Sequence, residues 1–160
     1  MFNVGDKVVY PHHGAGTVER VEERDVEGGK KKYFILSLCR GDLKITVPEE
    51  STDSVGMRGI IGKREVKSVF EVLNQGQSQM PTNWNHRYKK NRDKIRSGNV
   101  YQLAEVVRNL SIREREKGLS TGEKRMLNQA RQILLSEIIY VLNIEDEKAA
   151  KMLDDVFSRK

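Results

Sequence analysis

Residues 81–98, PTNWNHRYKKNRDKIRSG, combine the side chains with the most specific chemistry in this 160-residue chain. The segment contains Trp84, the only tryptophan, and its only acid is Asp93. Its basic residues are His86, Arg87, Lys89, Lys90, Arg92, Lys94 and Arg96. Because clustered cations bind phosphates and a flat apolar ring can press against stacked bases, the segment predicts a nucleic-acid contact.

Trp84 has a second interpretation as a core residue. Tyr88 and Ile95 follow it at helical spacing and could form a buried stripe with it. Against this, Trp84 falls in the first turn of the predicted helix, between two asparagines. The apolar stripes of the other predicted helices also supply a core without it. We therefore expect the indole ring at the surface.

Two groups of basic side chains extend the predicted contact. One face of the Trp84 helix is expected to neutralise phosphates through Arg87, Lys90 and Lys94. A second group opens a long helix, whose free amide donors also suit phosphate. It consists of Lys124, Arg125 and Arg131. A solvated helix face is the alternative interpretation of this second group.

No enzymatic centre or metal site is predicted. The chain has no nucleophile elbow, paired-histidine metalloprotease motif or dinucleotide fingerprint. One cysteine and three histidines do not supply a zinc ligand set. His12 and His13 are expected to form a turn, and Cys39 is expected to pack in a strand. We therefore expect no catalytic activity, no cofactor and no small-molecule substrate.

Two patterns of apolar residues divide the chain. Up to residue 48, short runs with strand-like alternation are separated by glycine turns, which predicts a small, strongly bent antiparallel barrel. After residue 55 the period becomes helical and predicts a bundle of about five helices. The fold class is therefore α+β. The domains are expected at residues 1–55 (barrel), 56–64 (linker) and 65–160 (helices).

Capping residues mark the expected helix starts. Thr82 or Asn83 can cap the Trp84 helix, and Asn99 can cap the next one. Ser120 and Glu123 have the spacing of a capping box at the start of the long helix. A glycine in the left-handed conformation is expected to end each of the first two of these helices.

The net charge of +6 is unevenly distributed. Residues 1–60 carry nine lysines and arginines against ten acidic residues, whereas residues 80–131 carry 13 against five. This is typical of a polyanion-binding module joined to a neutral one. The sequence shows no run that could span a bilayer and no signal-peptide pattern, and its single cysteine is compatible with a reducing cytoplasm.

Several segments together resemble the bacterial CarD/CdnL family, nearly from end to end. They are VGDKVVYPHHGAGTVE (4–19), TVPEE (46–50), PTNWNHRYKKN (81–91), LAEVVRNL (103–110) and GLSTGEKRMLNQARQIL (118–134). The resemblance implies a Tudor/SH3-like barrel that docks on the β subunit of RNA polymerase. It also implies a helical domain that reaches promoter DNA near the upstream edge of the melted bubble, where a tryptophan enters the minor groove. The implied outcome is a more persistent open complex, brought about by a non-catalytic cytoplasmic protein that is nucleoid-associated through polymerase.

The resemblance also implies roles for individual residues. The tryptophan that enters the minor groove as a wedge corresponds to Trp84. The residues that contact phosphates correspond to His86, Arg87 and Lys89. The polymerase contacts fall on Arg24, Val26, Thr46 and Pro48. Some relatives carry arginine at the position of Thr46, so the polymerase contact at this position is expected to be weaker or moved. His86 replaces a more basic residue, so its contact is expected to depend on pH near neutrality. The DNA surface is completed by three residues expected from charge pattern, Lys90, Lys124 and Arg125.

A barrel joined to a basic helical bundle also fits other classes of protein. An RNA-binding or ribosome-associated protein is one alternative, and a structural nucleoid protein is another. Co-purification of RNA polymerase, co-purification of ribosomal subunits, or DNA compaction without polymerase would distinguish the three. The chain is expected to be a monomer, since no sustained heptad demands a dimer, and its DNA binding is expected to be largely indifferent to sequence.

Overall fold

The computed structural model describes residues 2–38 and 43–158, so Cys39, expected to pack in a strand, lies outside the described residues. The described part has five strands followed by five α-helices, which confirms the α+β fold class. The strands are β1 (Lys7–Tyr10), β2 (Gly14–Val26), β3 (Gly29–Leu38), β4 (Lys44–Pro48) and β5 (Arg58–Gly59), with a 3₁₀ helix at Glu49–Ser51. The helices are α1 (Lys63–Asn74), α2 (Trp84–Arg96), α3 (Val100–Glu116), α4 (Thr121–Leu142) and α5 (Asp146–Ser158). Across these ranges, no helix is both long and apolar enough to cross a membrane.

The strands form one antiparallel sheet in the order β4-β3-β2-β1-β5. At the β2–β3 hairpin, Gly28 has a φ of +94°, in the region that glycine alone adopts without strain. The register of β2 shifts between Val18 and Arg20, a bulge that bends this long strand. One face of the sheet buries a separate apolar core made of Val8, Val18, Phe34, Leu36, Val47 and Met57. We call this part, residues 2–61, the sheet lobe.

The helices share a second core, which we assign to the helical lobe, residues 63–158. Leu73, Leu110 and Leu134 are buried at its centre. Val9 and Ala15, from β1 and β2, belong to the same cluster. The two lobes are therefore in direct apolar contact.

The helix ends lie where local sequence signals place them. Asn83, Asn99 and Ser120 are the N-caps of α2, α3 and α4, and each side-chain oxygen accepts a backbone N–H from the first turn. Gly98 and Gly118, with φ of +75° and +79°, follow α2 and α3. These starts and stops depend on neighbours within a few residues, which is why sequence alone predicts them.

Residues 56–64, expected as a linker, are bonded to both lobes. Met57 packs in the sheet core, the next two residues form β5, and Ile61 packs in the helical core. Arg58 makes two hydrogen bonds to the buried carboxylate of Glu137 on α4, at 2.6 and 2.7 Å. The backbone N–H of Ile61 donates to the same carboxylate at 2.9 Å. The segment therefore connects the lobes as a fixed element.

The middle of α4 lies directly on the sheet lobe. Ser136 Oγ accepts the backbone N–H of Ala15 at 2.9 Å. A Cβ on Gly14, which has a φ of +91°, would lie 2.5 Å from that oxygen, so glycine is required here. We call the contacts of Ser136 and Glu137 with the sheet lobe the lobe joint. At 1.5 Å per residue, the joint is roughly 24 Å along the helix axis from the N-cap Ser120.

Candidate nucleic-acid interface

α2 buries one narrow face against the rest of the helical lobe. Arg87, Asn91 and Ile95 are its buried residues. Because positions four apart lie one above another on a helix, these three form a single stripe. The rest of the helix surface is exposed over much of its length. Its exposed basic residues are His86, Lys89, Lys90 and Arg96.

The indole of Trp84 lies at the surface, with 41% of the residue exposed. One side of the ring stacks on Tyr88, with 5.0 Å between ring centroids and an interplanar angle of 17°. Its Nε1–H donates to Ser120 Oγ, the N-cap of α4, at 2.9 Å. The ring is therefore held by two contacts while part of it faces solvent. The core interpretation applies to Ile95, which is buried, and not to Trp84.

Arg87 does not present its charge to solvent, which corrects the expectation that it contacts phosphate from an exposed helix face. It is 4% exposed, and its Nε donates to Glu123 Oε2 at 2.7 Å. Its Nη1 donates to the carbonyls of Pro81 and Thr82, at 3.3 and 3.1 Å. Burial of an arginine requires such partners, because an unpaired charge in a protein interior is strongly destabilising. The guanidinium thus fixes the start of α2 against α4.

Ser120 joins this ion pair to the indole. Its hydroxyl accepts from Trp84 Nε1 and from the backbone N–H of Glu123, and donates to Glu123 Oε1 at 3.2 Å. A hydroxyl has one donor and two acceptor sites, so all three are used. Burial would raise the pKa of the Glu123 carboxyl, but hydrogen bonds from Arg87 and Ser120 hold the pKa below its ordinary value. The carboxylate is therefore ionised at neutral pH and keeps Arg87 and Ser120 in place.

The structure brings two members of the second basic group, Lys124 and Arg125, next to the ring. Lys124 and Arg125 are exposed in the opening turns of α4. They follow Gly122, which lies against the indole, since a Cβ at this position would be 3.4 Å from Cζ2 of Trp84. Trp84 is therefore flanked by exposed cations from both α2 and α4.

Two further basic residues are engaged in ion pairs. Lys94 donates to Glu105 on α3 at 2.9 Å, and Arg131 donates to Asp154 on α5 at 2.6 Å. The face expected from Arg87, Lys90 and Lys94 is thus divided between packing and solvent. Of these three cations, only Lys90 is exposed.

The residues expected to contact polymerase share one side of the sheet. Glu22, on β2, is paired in register with Tyr33 on β3. Alternation along β2 then places Arg24 and Val26 on the side of Glu22 and Tyr33. The Arg24 guanidinium lies over the Tyr33 ring, 5.0 Å from its centroid, and donates to Glu22 at 3.0 Å. Tyr33 and Glu22 were not predicted from sequence, because their neighbours became visible only through the strand register.

β4 places the other two expected contacts on the same side. Pro48 is paired in register with Tyr33, and Thr46 with Ile35. The intervening Val47 is buried in the sheet core and points the opposite way. We call this surface, formed by Arg24, Val26, Thr46 and Pro48 around Tyr33, the docking face.

Comparison with known proteins covers both lobes. A family model described as the CarD-like/TRCF RID domain matches residues 2–61, and one described as the CarD C-terminal domain matches residues 68–154. A protein of Bacillus subtilis (strain 168) described as "Putative transcription factor YdeB" is 33% identical over 148 residues, which is 92% of this chain and 97% of that protein. The likeness therefore includes the docking face and the Trp84 surface together.

Proposed function

Because this chain belongs to the CarD family, we propose that it docks its sheet lobe on the β subunit of RNA polymerase and applies Trp84 to promoter DNA. Membership of the family carries a role in transcription regulation, an RNA polymerase-interacting sheet lobe and no catalytic function. In the proposed complex, the indole enters the minor groove at the upstream edge of the melted bubble and prolongs the open state.

One observation carries the DNA part of this proposal. Trp84 is 41% exposed, yet its indole contacts Tyr88 and Ser120. An aromatic ring that is already ordered loses little conformational entropy on binding. Exposed cations on both sides can neutralise the phosphates next to the step that the ring enters. They are His86, Lys89, Lys90, Lys124 and Arg125.

The ring and the cations have different tasks in this mechanism. Unstacking a base step costs a few kcal/mol, and a side chain that packs into the distorted step recovers part of that cost. Only a difference in affinity between open and closed DNA shifts the balance between them. If Trp84 prefers the open form by about 1.4 kcal/mol, the ratio of open to closed complex rises about tenfold. The cations bind phosphates in both forms and so mainly provide attachment.

The docking face gives the DNA contact its location. Binding to polymerase places the helical lobe beside the promoter at high effective concentration, so a weak DNA contact is sufficient. Arg24 is the central charge of this face, and its stacking on Tyr33 leaves it pre-ordered at the surface. Thr46 contributes no charge, so the electrostatic part of docking rests on the β2 side of the face.

The test of the wedge is the lifetime of the open complex with Trp84→Ala. The variant should fold like the wild type because the ring is part-exposed. It should also bind polymerase like the wild type because Trp84 lies on the helical lobe and the docking face lies on the sheet lobe. The open complex should dissociate about tenfold faster. Tyr101→Ala is the matched control, since Tyr101 is a similarly exposed aromatic residue, at 39%, on α3. An unchanged lifetime in a folded Trp84→Ala protein would rule out the wedge.

The test of docking is co-purification of polymerase with Arg24→Glu. Charge reversal at the centre of the docking face should abolish binding without affecting the helical lobe. Lys32→Glu is the control, because Lys32 is exposed on the neighbouring strand and, by alternation from Tyr33, points to the opposite side of the sheet. Thr46→Arg should strengthen binding by restoring a cation on β4. Equal binding by Arg24→Glu and wild type would move the docking face elsewhere.

A further inference from the structure

Two of the exposed basic residues of α2 lie along one side of the helix, between Trp84 and its end. Lys89 and Arg96 are seven residues apart and therefore lie on the same side of the helix, about 10 Å from each other. Asp93 is exposed on that side as well and partly offsets their charge. From Trp84 to Arg96 the helix is roughly 18 Å long, which corresponds to about five base pairs of B-DNA.

The turn between β1 and β2 carries two exposed histidines, His12 and His13. Tyr10 stacks on His13 with 5.6 Å between ring centroids and an interplanar angle of 17°. The His12 ring is 5.9 Å from the same tyrosine. The two imidazoles are therefore ordered on one aromatic support while they face solvent.

This turn is packed against the C-terminal end of α2. A Cβ on Gly56 would lie 2.9 Å from the carbonyl oxygen of Arg96 and 3.3 Å from Pro11 Cγ. A Cβ on Gly98 would lie 2.5 Å from the oxygen of Gly56. Only residues without side chains permit this approach, which brings the histidine turn of the sheet lobe next to the last turn of α2.

We propose that DNA bound at Trp84 runs along α2 to this turn, so that His12 and His13 bind its phosphates as part of one surface formed by both lobes. This inference rests on the proposed DNA contact of Trp84 and adds the direction of the duplex on the protein. A phosphate chain is the occupant that fits, because Lys89 and Arg96 on α2 and the two imidazoles of the adjacent turn offer donors and positive charge.

The histidines give this surface a pH dependence. In the free protein, burial lowers the pKa of His12, and the neighbouring charges of Arg96 and His13 lower it further. The titratable groups around His12 are therefore Tyr10, His13 and Arg96. A bound phosphate opposes these effects by favouring the imidazolium. Binding should therefore take up protons, and affinity for DNA should rise as pH falls below neutrality.

The experiment measures the salt dependence of binding to a labelled duplex at pH 7.5 and pH 6.0 by fluorescence anisotropy. Each neutralised phosphate adds about 0.9 to the slope of log affinity against log salt. The wild-type slope should steepen at pH 6.0, and His12→Gln/His13→Gln should lose about one to two units of that increment. His86→Gln is the comparison for the remaining histidine, which belongs to the proposed contact beside Trp84, and this variant should keep the increment that comes from the turn. Asp93→Asn should strengthen binding at both pH values.

Two outcomes separate this inference from the proposed function. If His12→Gln/His13→Gln shows the same pH-dependent slope as wild type while Lys89→Glu weakens binding, DNA contacts α2 but does not reach the turn, and the inference is overturned. If Lys89→Glu leaves affinity and slope unchanged, the DNA contact of the helical lobe is itself wrong. The double variant is expected to fold normally, since both imidazoles are exposed.

Discussion

Replacing Arg87 with alanine should destabilise the whole protein, and the size of the loss follows from burial. The guanidinium is 4% exposed and its partner Glu123 is 2% exposed. Truncation leaves the carboxylate buried without its cation, and breaking a buried ion pair from one side costs about 3–5 kcal/mol. With an m-value near 2 kcal/mol/M, the urea midpoint should fall by about 1.5–2.5 M. Far-UV circular dichroism through a urea titration measures this directly.

Two further variants separate the effect of breaking the Arg87–Glu123 ion pair from the effect of losing a positive charge. Arg87→Met/Glu123→Leu replaces both charges with apolar side chains, and such replacements are often neutral or stabilising. This double variant should therefore recover most of the loss. Lys90→Ala removes an exposed cation from the same helix and should change the unfolding free energy by less than about 0.5 kcal/mol. The contrast distinguishes a buried pair from ordinary loss of positive charge.

The same pair predicts how stability depends on pH. The pKa of Glu123 is lower in the folded protein than in the unfolded chain, so the unfolded state binds more protons as the solution is acidified. This stabilisation is complete above the carboxyl's ordinary pKa and is lost as pH falls through its folded value. Arg87→Met/Glu123→Leu should lose less stability than wild type on acidification. The buried pair would be refuted if Arg87→Ala were as stable as wild type and its salt slope for DNA binding were reduced by about one. Arg87 would then be a phosphate contact.

Two other substitutions test contacts around the ring and the lobe joint. Ser120→Ala removes both the N-cap of α4 and the acceptor of the indole N–H, so the unfolding free energy should fall by about 1 kcal/mol and the emission of Trp84 should shift. Unchanged emission would show that the hydroxyl does not hold the ring. Gly14→Ala puts a Cβ 2.5 Å from Ser136 Oγ at a φ of +91°, and should lower Tm by about 4–8 °C, equivalent to about 2 kcal/mol. A thermal melt with Gly76→Ala as control, where a Cβ meets nothing within 4 Å, would expose any general effect of the added methyl.

Local features of this protein were predictable from sequence. The caps Asn83, Asn99 and Ser120 each bond a backbone group two or three residues away, so the sequence contains the whole interaction. A surface position for Trp84 was one of two interpretations of the sequence, and its place in the first turn of a helix favoured it. The strands and helices likewise followed from the change in apolar period.

Contacts between distant residues were not predictable in the same way. Arg87 was expected at the surface because arginine usually is, but its partner Glu123 is 36 residues away and depends on how α2 packs on α4. The spacing of Arg87 with Asn91 and Ile95 was the available signal. The contacts of residues 56–64 were not predictable either, because the bond from Arg58 to Glu137, 79 residues later, depends on the fold.

The lobe joint has a consequence for how the protein would locate its target. Because Arg58 of β5, Ile61 and Ala15 are each hydrogen-bonded to α4, the structure sets one position of Trp84 relative to the docking face. In the proposed complex, the indole would then reach one fixed position upstream of the catalytic centre of RNA polymerase. The distance from that centre, and not the order of bases, would decide where the strands are held apart. One protein of this build could therefore serve promoters that have no common sequence at the point of contact.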